Sequence, residues 1–207
     1  VAIGDIVRNF PTPGENGMGL TFDGKHLWHC DLDTELIYQI DPETGAVLRS
    51  FAAPSVNTRG LTFDGKYLWV SDSGMNLIYQ VDPLTGLVLR SFITPNEDPR
   101  GLAFDGKHLW HIDSHTNWIY QSDRFTGAIL RSFAAPSTDP MGLTFDGKYL
   151  WNSDVDAPRI YQIDPETGAV ITDFAPPTWA ARGLAFDGKH LYEVDSALNL
   201  INQIAVA

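Results

Sequence analysis

Residues 59–92 read RGLTFDGKYLWVSDSGMNLIYQVDPLTGLVLRSF, and the same pattern can be laid over almost all of the remaining chain. Gly19, Gly60, Gly101, Gly142 and Gly183 each open a GLxFDGK segment, and each stands 41 residues from the next. Repetition at ~40 residues is the signature of a solenoid, propeller or array. Within the quoted copy, four short apolar runs at residues 60–64, 67–72, 77–82 and 87–92 are separated by turn signals. That alternation predicts strands, here called A to D, and requires no helix.

The turns set how the strands pair. Asp64-Gly65 between A and B is a two-residue hairpin signal, with glycine supplying the positive φ of a type I′ turn. Between C and D, Asp82-Pro83-Leu84-Thr85-Gly86 places proline where φ is preset and glycine where the left-handed conformation is needed. Both connections are tight, so A to D are antiparallel neighbours, and four antiparallel strands per repeat make a propeller blade. Residues 6–10, IVRNF, match residues 47–51, VLRSF, while the chain ends at Ala207 before another strand D can follow its last strand C. The predicted fold is therefore an all-β, five-bladed propeller spanning residues 1–207 as one domain. The N-terminal strand serves as the outer strand of the last blade, which removes an open edge.

Trp28, Trp69, Trp110, Trp151 and Tyr192 in strand B, with Phe10, Phe51, Phe92, Phe133 and Phe174 in strand D, are expected to pack blade against blade. A formal net charge of −12 argues against nucleic acid and anionic membrane partners and favours a neutral or cationic one. The single cysteine, Cys30, excludes an intrachain disulfide. No apolar stretch approaches membrane-spanning length and residue 1 already falls within the repeat, so neither a targeting nor a transmembrane segment is expected. The expectation is a soluble monomer, with its compartment open.

Comparing the copies separates two faces. The A-to-B and C-to-D turns, FDGK and DPETG, are nearly constant and share one face, whereas the B-to-C loops (LDTEL, SGMNL, SHTNW, VDAPR, SALNL) and the D-to-A loops diverge and share the other. Divergent loops on a rigid support are where binding and catalysis reside, so the second face, here the top, carries the expected site, over the opening of the ring axis.

GLTFDGKYLWVSD followed by IYQVDPLTG and VLRSF resembles the repeats of bacterial and plant glutaminyl cyclotransferases and, more loosely, NHL repeats and the streptogramin lyases. The resemblance covers the whole chain and implies a five-bladed propeller. In the cyclotransferases it implies a catalytic glutamate just before the Gly-Leu of a strand A. The matching positions here are Met18, Arg59, Arg100, Met141 and Arg182, none of them acidic.

Three groups on the top face are candidates. Asp31, Asp72, Asp113, Asp154 and Asp195, at the ends of the B strands, form either a cation-binding collar or Asx turns that start the loops. Arg59, Arg100 and Arg182 either converge to hold a carboxylate or phosphate by paired hydrogen bonds, or each pairs with a neighbour such as Asp98 or Asp139. Two residues before each B-end aspartate stand His29, Val70, His111, Asn152 and Glu193. His29, His111 and Glu193 are residue types that bind zinc or a similar divalent ion, and the competing reading is ordinary half-buried polar residues between blades.

These groups point to a metal-dependent hydrolase of the ester or phosphoester type. It would act on a small molecule at the top face, with His29, His111 and Glu193 as metal ligands, Arg59, Arg100 and Arg182 in catalysis, and Trp118, Trp179, His115 and Asn152 against the substrate. The alternatives are a non-enzymatic ligand- or protein-binding propeller, in which Trp118, Trp179 and Met75 form the recognition surface without metal, and an amplified or engineered repeat scaffold without selected activity.

Overall fold

The computed structural model describes residues 2–206, among which every regular element is a strand. After β1 (Ile6–Pro11), blade 1 comprises β2 (Gly17–Phe22), β3 (Leu27–Asp31), β4 (Leu36–Ile40) and β5 (Val47–Ala52). Blade 2 comprises β6 (Thr58–Phe63), β7 (Leu68–Asp72), β8 (Leu77–Val81) and β9 (Val88–Ile93). Blade 3 follows with β10 (Pro99–Phe104), β11 (Leu109–Asp113), β12 (Trp118–Ser122) and β13 (Ile129–Ala134). Blade 4 holds β14 (Pro140–Phe145), β15 (Leu150–Asp154), β16 (Arg159–Ile163) and β17 (Val170–Phe174). The last blade is built from β18 (Ala181–Phe186), β19 (His190–Asp195) and β20 (Leu200–Ala205), with β1 as its outer strand, in the order β1-β20-β19-β18. The ring closes as the sequence predicts. No helix of the described residues is long and apolar enough to cross a membrane.

The inner strands β2, β6, β10, β14 and β18 stand against one another around the axis. Their repeated glycine is what permits this: a Cβ on Gly60 would fall on the carbonyl of Arg100, and one on Gly142 on the carbonyl of Arg182. Further out, the strand-B aromatics are buried at 0–2% exposure. Trp69 lies 6.1 Å from Phe92 of its own blade, and Phe51 packs on Gly86 of the next, so these rings tie neighbouring blades together. Each buried tryptophan needs a partner for its indole N–H, and Trp69 Nε1 donates to Asp64 Oδ2 at 2.9 Å.

That bond corrects the expected A-to-B turn. Positive φ falls on Gly65 alone (90°), so the turn lacks the second positive φ that type I′ requires. Asp64 is retained for its side chain, whose Oδ1 accepts from the amides of Lys66 (3.0 Å) and Tyr67 (2.7 Å) while Oδ2 holds the indole. The C-to-D turn follows its expectation, with Gly86 at φ 75° and its amide donating to Asp82 O at 2.8 Å.

Candidate functional site

The B-end aspartates serve the loops. Asp31 Oδ1 accepts from the amides of Asp33 (3.1 Å) and Thr34 (2.9 Å), and Asp154 Oδ1 from those of Asp156 (3.0 Å) and Ala157 (2.9 Å). Asp72 and Asp195 do the same in their blades, and Asp113 Oδ1 accepts from the amide and the hydroxyl of Thr116. The Asx-turn reading accounts for all five.

The candidate metal ligands are held apart by the ring. Alternate residues of a strand share a face, so His29 lies on the face of Leu27, His111 on that of Leu109 and Glu193 on that of Leu191. Leu27 packs with Ala185 and Tyr192 of the last blade, Leu109 with Trp69 of blade 2, and Leu191 with Trp151 of blade 4. The three side chains therefore occupy three different layers between blades, each fully buried and turned along its own sheet. His29 Nδ1 is 3.0 Å from Gly19 O, His111 Nδ1 is 3.3 Å from Ser122 Oγ, and Asn202 donates to Glu193 Oε1 at 2.7 Å. Among the described residues no three His, Cys, Asp or Glu side chains gather as a metal-holding group. Burial pushes both imidazole pKa values down to about 4 and the Glu193 carboxyl up to about 8, so at neutral pH all three are uncharged. Asn152 is likewise buried, donating to Gly142 O (3.0 Å) and Ser153 O (2.8 Å), and cannot touch a ligand at the surface. Trp118, Trp179 and His115 are exposed, on β12 or the loops.

The arginines do come together. Arg59, Arg100 and Arg182, with Met18 and Met141, line the mouth of the axial channel above the five Gly-Leu pairs. Arg59 Nη1 and Arg182 Nη1 lie 3.6 and 3.8 Å from the same sulfur, Met18 Sδ. Arg100 fulfils the paired alternative: it bonds Asp98 (Nε 3.0 Å, Nη2 2.9 Å) and Asp139 (Nη1 3.1 Å), and its guanidinium also meets Met141 Sδ. Arg59 and Arg182 have no carboxylate within ion-pair distance among the described residues. Burial, then the charge of Arg100, lowers the pKa of both from its ordinary value. Three arginines against two carboxylates leave the collar with one net positive charge at the centre of an acidic protein. The cavity beneath it, about 20 Å³, holds little more than one water, so a ligand would sit over the mouth and not within the channel.

Two parts of the collar escaped the sequence reading. Met18 and Met141 are buried at 5% and 7% exposure and act as its walls. Arg59 Nε donates to Ser73 Oγ (3.2 Å) and Arg182 Nε to Ser196 Oγ (2.7 Å), which leaves the outer guanidinium nitrogens free of those serines. A signal was present. The position fourteen residues after each collar residue is serine where the collar residue is arginine (Ser73, Ser114, Ser196) and aliphatic where it is methionine (Leu32, Val155).

No known protein-family profile matches this chain, and no curated protein is significantly similar to it in sequence. Solved structures do resemble it. Glutaminyl cyclase of Myxococcus xanthus superimposes with a TM-score of 0.83 over 98% of this chain and 97% of that one, at 15% identity. Virginiamycin B lyase of Staphylococcus aureus gives a TM-score of 0.59 over 96% of this chain and 69% of that one, at 19% identity. At these identities the likeness is one of fold: the chain is a five-bladed β-propeller similar in architecture to those proteins.

Proposed function

We propose that the protein is a ligand-binding propeller whose collar of Arg59, Arg100 and Arg182 takes a small molecule through a carboxylate or phosphate group. The observation that carries this reading is the pair Arg59 and Arg182, half-buried, drawn together beside the one sulfur of Met18 and free of carboxylate partners among the described residues in a chain of net charge −12. Desolvated guanidinium groups form strong, paired hydrogen bonds with an oxyanion, and bringing one in relieves the repulsion between them. Arg100, already neutralised, positions the rim. The exposed indole of Trp179 lies on the loop before β18, the strand that carries Arg182, and offers an apolar contact for the rest of the ligand.

Replacing Arg59 or Arg182 by alanine should weaken binding of citrate or inorganic phosphate by roughly tenfold to a hundredfold, the worth of one charged hydrogen bond, with little change in melting temperature. Arg100→Ala should cost less affinity and some stability, because it strands Asp98 and Asp139. Calorimetric titration of the three variants at low salt tests this, and equal affinities in wild type, Arg59→Ala and Arg182→Ala would sink the reading.

The second reading is the metal-assisted hydrolase. It draws support from unpartnered buried atoms, His29 Nε2, His111 Nε2 and Glu193 Oε2, which are donors a zinc-like ion could use. It also requires three separate layers to open toward one another. Incubation with zinc, manganese and nickel followed by elemental analysis discriminates: stoichiometric metal lost in His111→Ala would favour the hydrolase, and a metal-free protein leaves the arginine collar as the site.

A further inference from the structure

The C-to-D turn of blade 3 breaks the repeat on the face where the copies otherwise agree. Blades 1, 2 and 4 carry Asp-Pro-x-Thr-Gly, but blade 3 reads Asp123-Arg124-Phe125-Thr126-Gly127. The turn itself is unchanged: Gly127 has φ 75°, its amide donates to Asp123 O at 2.8 Å, and Asp123 Oδ1 accepts from the amides of Phe125 (2.9 Å) and Thr126 (2.8 Å). Arg124 and Phe125 are thus not needed to make the turn. They change what it presents to the neighbouring blade.

Elsewhere this turn can neutralise the strand-D arginine of the preceding blade. Arg8 meets Glu43 at 2.9 Å, and Arg131 meets Glu166 at 2.8 Å. Arg90 has no such carboxylate. Its guanidinium lies 5.4 Å from the Phe125 ring centroid and 5.2 Å from that of Trp69, with Nε on Gln80 Oε1 (3.0 Å) and Nη1 on Phe125 O (3.3 Å). Arg124 lies against the same ring at 4.8 Å. Its carboxylate neighbour is Asp64, at a long 3.6 Å, and that group is already engaged by the Trp69 indole and two backbone amides. Arg124 Nε is buried without a partner. Lys66, whose ammonium sits 4.8 Å from the centroid of Tyr67, completes the rim. Lys66, Arg90 and Arg124 against Asp64 leave two net positive charges around a cavity of about 300 Å³, at the small end of ligand pockets.

We propose that this groove between blades 2 and 3, on the face opposite the arginine collar, is a second ligand site for a small anion that carries an aromatic ring, such as an aryl phosphate or aryl carboxylate. Arg90 and Arg124 take the anionic group, held flat by the aromatic faces they stack on, and the 64%-exposed Phe125 with Tyr67 takes the ring. Neither feature exists in the other blades, because Pro and Glu or Leu stand where Arg124 and Phe125 do here.

The test is titration with phenyl phosphate at low salt, following the tryptophan indole N–H resonances. Trp69 borders the groove through Asp64, and Trp28, Trp110 and Trp151 occupy the same position in the other blades as internal controls. Among these four equivalent indoles a saturable shift confined to Trp69 is expected, with inorganic phosphate alone occupying the groove about tenfold more weakly for want of the ring contact. The double variant Arg124→Pro, Phe125→Glu writes into blade 3 the turn that blades 1 and 4 already fold with, so it should keep its melting temperature while losing about tenfold or more in affinity. The Arg59→Ala, Arg182→Ala variant should bind phenyl phosphate in the groove as the wild type does, which separates this site from the collar. An unmoved Trp69 resonance at millimolar phenyl phosphate, or equal affinity in the restored-repeat variant, would overturn the site. Equal affinity for inorganic phosphate would overturn the aromatic ligand.

Discussion

Deletion of residues 1–11 is expected to lower the melting temperature by about 10–20 °C, corresponding to ~5 kcal/mol or more for a domain of this size, and to promote aggregation. Three losses combine. The ladder from Ile6↔Ile204 to Pro11↔Leu200 disappears, leaving β20 as an unpaired edge open to other chains. Phe10, 7% exposed and packed on Gly45 of blade 1, leaves a gap of the kind that costs ~3–5 kcal/mol on truncation to alanine. Arg8 is lost from Gln203 Oε1 (2.8 Å) within the last blade and from Glu43 (2.9 Å), the contact that joins it to the first. Thermal unfolding with light scattering reads both effects, and a synthetic peptide of residues 1–12 added in trans should restore part of the stability. An unchanged melting temperature would mean that β1 contributes nothing to closure.

Glu193→Gln is expected to stabilise the protein at pH 8 and to leave it nearly unchanged at pH 4.5. The carboxyl sits fully buried on β19, opposite Asn202 and on the face of Asp195. Burial raises its pKa to about 8, the Asn202 hydrogen bond opposes the rise, and the charge of Asp195 adds to it. A carboxyl whose folded pKa exceeds its unfolded value is no burden below the unfolded value, ~4.5. As pH climbs to about 8 the folded state resists losing the proton, so stability falls by up to roughly 5 kcal/mol. His29 and His111 work in the other direction: with folded pKa values of about 4, they remove stability as pH drops below ~6.5. The wild type should therefore weaken on both sides of the mildly acidic range, and the Gln variant should lose only the alkaline limb. Parallel stability–pH curves for the two proteins would refute the assignment.

The same corner of the last blade shows why symmetry matters to such charges. The second oxygen of Asp31, Asp113 and Asp154 accepts the amide of Asn16, Asp98 and Asp139, and that of Asp72 accepts the Tyr79 hydroxyl. In the last blade the tyrosine position is Asn202 and the Ala180 amide donates to Thr178 Oγ1, so Asp195 Oδ2 is left without a partner. A glutamine at 193 brings an N–H to this face.

The amino-acid sequence by itself determined the ring. A 41-residue register, glycines that let the inner strands stand together, turn residues at fixed offsets and an isolated strand D at the N-terminus left one arrangement of strands, and the observed strands of blade 2 begin and end within two residues of their predicted limits. Short-range chemistry suffices there because each blade repeats the same local solution. The site was legible only in part. That Arg59, Arg100 and Arg182 share the channel mouth follows from their common place in the repeat, but that Arg100 is neutralised while Arg59 and Arg182 are not depends on where Asp98 and Asp139 fall across neighbouring blades. His29, His111 and Glu193 stand at one height in the repeat, yet only the tertiary structure decided that they face sideways into different layers. Equal height in a repeat sets how far along the axis a residue lies, whereas the pleat of the strand and the stacking of the blades set the direction in which its side chain points.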